Sequence, residues 1–147
     1  MAYTSIIPVH RLKGSVDYVL DEKKASRSQN ADSLQAAVDY ALNKDKTEQD
    51  LFCSAIGCTL DSAFEDMCQI KRMWHKEKGV QGFHLVQSFS AGEVSPELAH
   101  QIGLEFADRL LGGEFQAVVS THLNTKCIHN HIVWNSVSMK NGRKNRS

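Results

Sequence analysis

The 147-residue chain reads as an α+β protein: a two-layer sandwich whose central, mostly antiparallel sheet of about five strands carries its helices on one face. Two observations predict this. Short β-rich stretches alternate with amphipathic helical ones, in the order β-α-(α)-β-α-β-α-β-β. The last two strands are joined by a link too short for a crossover, so they must be antiparallel neighbours. The length suits one domain with a single core.

Residues 3–9 are β-rich and open the sheet. Ser15 can cap a short helix through Val16, Val19 and Leu20, and the polar residues 23–32 form a loop. A second helix starts near Ser33, with Leu34, Ala37, Val38, Ala41 and Leu42 on one face. Residues 50–57 form the second strand. Residues 61–78 form an amphipathic helix with Ala63, Phe64, Met67, Ile70 and Trp74 as its buried stripe and Gly79 as its stop. Residues 83–89 are the third strand. Ser95-Pro96-Glu97 is a strong helix start, and Gly112-Gly113 ends that helix after Ala99, Ile102, Gly103, Phe106, Ala107 and Leu110. Residues 115–121 and 128–137 are the last two strands. Asn141-Gly142 is a hairpin-type turn with almost no chain left to complete a hairpin.

Formal charge is zero, so bulk charge does not argue for nucleic acid. Local charge is more telling: Lys140, Arg143, Lys144 and Arg146 make a basic tail, and Lys71, Arg72, His75, Lys76 and Lys78 crowd one helix end. Cys53, Cys58, Cys68 and Cys127 form no CxxC pair, so free thiols in a reducing cytoplasm are expected. No apolar run approaches the length of a membrane span, and no signal-peptide core is evident.

The most informative segment is HLNTKCIHNHIVWNSV, residues 122–137. On a strand His129 and His131 point to one face with Val133 and Asn135, while Asn130, Ile132, Trp134 and Ser136 point to the other. A turn at Asn124-Thr125-Lys126 would carry His122 beside them. A lone histidine is usually a packing or surface residue. Three converging from paired strands suit a divalent metal with open positions, which could take a phosphate oxygen and act as a Lewis acid. Such a site does not name the nucleophile, which could be bound water or a side chain. Tyr3, Tyr18 and Tyr40 are the candidate tyrosines. A short echo relates VDYVLDEKK at 16–24 to VDYALNKDK at 38–46.

These motifs together resemble the relaxases, or mobilisation nucleases, of plasmids and conjugative elements, which belong to the nucleases with a His-hydrophobe-His signature. His122, His129-Asn130-His131 and Asn135-Ser136-Val137 resemble the family's third motif. The stretch from Phe83-His84-Leu85-Val86-Gln87-Ser88-Phe89 through Gly92-Glu93 to Ser95-Pro96-Glu97 resembles the second. Ala55-Ile56-Gly57-Cys58 is similar to the strand before the family's amphipathic helix, so the likeness covers nearly the whole chain.

The resemblance implies cutting of one DNA strand at an origin of transfer. A tyrosine attacks the phosphodiester, leaving a 5′-phosphotyrosine and a free 3′-hydroxyl, while a divalent ion (Mn²⁺ or Mg²⁺, or another transition metal) on His122, His129 and His131 polarises the phosphate. Tyr18 has the family's distance from the first strand and is preferred, whereas Tyr40 has the better downstream match. Gln87, Ser88, Asn124, Asn135, Lys140 and Arg143 are expected around the metal or along the DNA. Asn124 stands where many members have Asp and cannot act as a base, and Cys127 stands where some have His. The implied partners are single-stranded DNA and accessory mobilisation proteins, with no membrane, in the cytoplasm. Residues 1–147 are expected to be one relaxase-like domain, truncated at its C-terminus. The alternatives are an inactive remnant that binds DNA and a metal phosphodiesterase that uses water.

Overall fold

Strand pairing, more than any one element, positions the histidines. The computed structural model describes residues 3–9, 33–42, 52–123 and 127–145. In chain order the elements are β1 (Tyr3–Val9), α1 (Leu34–Ala41), β2 (Cys53–Ile56), α2 (Ala63–Met73), β3 (Gly82–Ser88), α3 (Pro96–Leu111), β4 (Ala117–His122) and β5 (His129–Asn135). The helix expected after Ser15 and the turn at Asn124 lie outside the described residues.

The strands form one five-stranded sheet in the order β1-β3-β5-β4-β2, with every neighbouring pair antiparallel. As the short link requires, β4 pairs with β5, and His122 stands opposite His129. On its other side β5 pairs with β3, which sets Ser88 opposite His129 and Gln87 opposite Asn130.

The α+β class and the antiparallel sheet are those the sequence predicts, but the helices occupy both faces instead of one. Val118 and Val133 pack with Leu34, Ala37, Val38 and Met67 beneath α1 and α2. Ala117, Val119, Ile132 and Trp134 pack with Ala107 and Leu111 of α3. The reason lies in the central strands: β4 is buried along its whole length, and apolar residues of both parities need cover.

The local signals explain the helix ends. The Ser33 hydroxyl accepts from the Ala36 amide at 3.0 Å, and the Ser95 hydroxyl accepts from Leu98 N–H at 3.1 Å, with Pro96 in the first turn. α2 stops before Gly79. His75 takes φ 56°, Lys76 N–H donates to the Lys71 carbonyl at 2.8 Å, and His75 N–H donates to Arg72 at 3.2 Å. This is the paired bonding of a Schellman end, with histidine where glycine is usual. The tail also closes further than expected. Val137 bridges to Lys144, and Asn145 N–H donates to the Ser136 carbonyl at 2.7 Å, so the Asn141-Gly142 turn does return the chain on itself.

Candidate functional site

His122 ends β4, and His129 and His131 lie on β5, all on the face covered by α1. The His122 and His131 rings stack at 4.1 Å between centroids, and the His129 and His131 centroids are 6.5 Å apart. Tyr40, in the last turn of α1, brings its ring to 5.6 Å from His122 and 5.4 Å from His131. It is buried, as are His122 and His131. α1 can hold Tyr40 there because small and branched residues, Ala36, Ala37, Val38 and Ala41, let the helix lie close on the sheet.

The nitrogens are engaged locally. His122 Nε2 lies 3.0 Å from the Ala41 carbonyl oxygen, which can only accept, so this nitrogen carries a proton. His131 Nδ1 lies 2.8 Å from Nε2 of His84, a buried residue of β3. Burial pulls the His129 imidazole below its ordinary pKa, against an opposing backbone hydrogen bond at Cys127, and so favours the neutral form that metals need. The donor set therefore suits a divalent transition ion in its chemistry. Its orientation does not converge: among the described residues, no three His, Cys, Asp or Glu side chains are arranged to hold a metal. His122 instead turns Nε2 toward the Ala41 carbonyl and stacks its ring on His131.

The other expected site residues are dispersed. Tyr18 and Asn124 lie outside the described residues. Ser88 is half-buried opposite His129, on the histidine face. Gln87 is on the α3 face, where its carbonyl accepts from Asn130 Nδ2 at 3.0 Å. Asn135 shares the histidine face but stands at the far end of β5, about 20 Å of strand beyond His129. There its carbonyl accepts from Lys71 Nζ at 2.5 Å, and its amide donates to the Met67 carbonyl and to Gln116. Lys140 and Arg143 are exposed beside that same far end. Arg143 and Lys144 line a cleft of about 870 Å³ with Lys76, Val80, Glu114, Phe115 and Asn145.

His84 falls within the second motif, where the sequence alone gives it no role. Its meeting with His131 depends on β3 pairing with β5 across an intervening helix and strand, and no local pattern encodes that pairing.

The chain matches the family model "Relaxase: MobA/VirD2-like, nuclease domain" over residues 40–147. It is 36% identical to Protein rlx of Staphylococcus aureus over 118 residues, covering 80% of this chain and 36% of that protein. It is 32% identical to the Group II intron-interrupted relaxase LtrB of Lactococcus lactis subsp. cremoris (strain MG1363) over 174 aligned residues, covering 98% of this chain and 31% of that protein. The chain thus spans about a third of the length of these relatives. With its antiparallel sheet and clustered histidines, it belongs to the MobA/VirD2-like relaxases, as part of their nuclease domain.

Proposed function

We propose that this chain nicks and transfers one DNA strand at an origin of transfer, with Tyr40 as nucleophile. The observation that carries this reading is the Tyr40 ring lying within 5.6 Å of both His122 and His131 at the end of α1. The Tyr40 hydroxyl loses its proton and attacks phosphorus. The bond to the 3′-oxygen breaks, that oxygen takes up a proton, and a 5′-phosphotyrosine remains. The Tyr40 proton passes to solvent, because an imidazole whose lone pair holds an ion cannot also accept it. His122, His129 and His131 would hold a divalent ion, Mn²⁺ or Mg²⁺, once His122 turns from Ala41. Such an ion supplies Lewis-acid polarisation of the phosphate. Ser88 lies closest to this end, while Lys140 and Arg143 would meet DNA phosphates away from it. Asn124, two residues after His122 in the sequence, keeps its expected role around the metal or DNA. Single-stranded DNA is the substrate, accessory mobilisation proteins are candidate partners, and the cytoplasm is the expected location. Among the described residues no helix is long and apolar enough to cross a membrane.

The test is an adduct assay. The chain is incubated with Mn²⁺ and single-stranded oligonucleotides carrying candidate transfer origins, then denatured. A covalent protein–DNA band that Tyr40→Phe abolishes and Tyr18→Phe retains is the expected result. The reverse pattern assigns the chemistry to Tyr18. Cleavage without an adduct indicates water as nucleophile, and binding without cleavage indicates a DNA-binding remnant.

A further inference from the structure

His84 has no role in the chemistry above, yet it bonds directly to the histidine cluster. It is 1% exposed, and its Nε2 lies 2.8 Å from Nδ1 of His131, itself 6% exposed. We propose that His84 is a positioning residue. Its Nε2 accepts from Nδ1–H of His131 and so leaves the Nε2 lone pair as the one His131 offers to the site.

The placement follows from register. Val86 stands opposite His131 and Val133 stands opposite His84, so the two histidines are diagonal neighbours on one face. β3 is paired on both sides, with Ile7 of β1 and Val133 of β5 flanking His84, so the acceptor is held by three strands. A neutral imidazole has one N–H and one lone pair. A ring that binds an ion or takes a proton must present the bare nitrogen, so its other nitrogen carries hydrogen and needs an acceptor. Burial keeps water from serving, and His84 supplies the acceptor. The same bond uses the His84 Nε2 lone pair, which makes His84 a support for His131 and not a further ligand through that atom.

This inference rests on the reading that His131 offers a lone pair to the reaction, but its test is independent of any DNA chemistry. Ring ¹H–¹⁵N spectra of the ¹⁵N-labelled full chain report which nitrogen of His131 is protonated. The expected result is a single Nδ1–H form with a hydrogen-bonded proton. His84→Phe keeps ring bulk without nitrogens and should lose that form. Mn²⁺ affinity measured by calorimetry should then fall about 10- to 100-fold. His84→Gln, whose side-chain carbonyl can accept the same proton, should restore both. A wild-type His131 protonated on Nε2 overturns the proposal, and it does so even if His84→Phe fails to fold. An unchanged His131 tautomer in a folded His84→Phe chain overturns it equally. Failure of the adduct assay alone would leave the tautomer result standing.

Discussion

Two buried polar chains cross the same end of the sheet, one on each face, because alternate residues of β5 point opposite ways. On the α3 face the chain runs Ser54, His100, Thr121, Asn130, Gln87, and its proton directions follow from its end point. The Asn130 amide donates to the Ala99 carbonyl at 2.6 Å and to Gln87, so its own carbonyl accepts, taking the Thr121 hydroxyl proton at 2.7 Å. Thr121 must then accept from His100 Nδ1 at 2.9 Å, and His100 Nε2 accepts from Ser54 at 2.8 Å. Burial depresses the His100 pKa and so agrees with a neutral ring. Gly103 lets α3 approach this network: a Cβ there would stand 2.7 Å from Asn130 Nδ2. On the α1 face His122 and His131 lie against Tyr40, His84 bonds His131, and His122 Nε2 also reaches the Ala41 carbonyl. The lesson is that buried histidine is not itself a sign of chemistry. The α3-face network ties a helix to the sheet through amide and hydroxyl groups, whereas the imidazoles of the α1 face are grouped around a tyrosine.

The sharpest break in this comparison is Tyr40→Phe. It should lower adduct formation on the order of 10⁴-fold or more, the scale of removing a covalent nucleophile, while thermal unfolding shifts by about 1 kcal/mol or less. A large stability loss with adduct retained would make Tyr40 a packing residue like those of the other face. Next is Asn130→Ala, which strips partners from Thr121, Gln87 and the Ala99 carbonyl together. Urea denaturation should show a loss of about 2–4 kcal/mol. Thr121→Val should cost about 1–3 kcal/mol, because His100 Nδ1–H and the Asn130 carbonyl lose their common partner. If both variants matched wild type in stability, the α3-face network would not be structural.

The most gradual effect, spread over several pH units, concerns a third polar cluster, at the far end of the histidine face. Lys71 is 1% exposed and donates to the Gln81 carbonyl at 2.6 Å as well as to Asn135. Burial, followed by the nearby Lys144 charge, lowers its pKa to about 7 from 10.5. Between those values the unfolded chain holds a proton that the folded chain has shed, so this group makes stability rise with pH from about 7 to 10. Below pH 7 both states are protonated and the slope vanishes. The wild-type minus Lys71→Met difference should rise by at most about 1.4 kcal/mol per pH unit across that window in denaturation curves. A flat difference would show that the ammonium is not buried as the structure has it.

Much of the architecture was legible along the chain. Ser95 caps where the sequence predicts, α1 starts beside Ser33 as expected, the alternation on β5 separates His129 and His131 from Asn130, and the short link forces β4 against β5. These are local matters of side-chain period, capping groups and loop length. Asn135 shows where such reasoning stopped. Parity put it on the histidine face, but distance along the strand gave it to Lys71. The stop of α2 was also misplaced, because histidine filled the left-handed position where glycine was expected.

What the sequence determined by itself was element type, strand parity and a histidine-rich motif, since these depend on neighbours a few residues away. Tertiary structure alone decided that β5 lies between β3 and β4, and that helices cover both faces. It also set which tyrosine of the described residues stands beside His122, and brought His84 to His131. Those outcomes depend on which distant surfaces exclude water together, and no single segment carries that information.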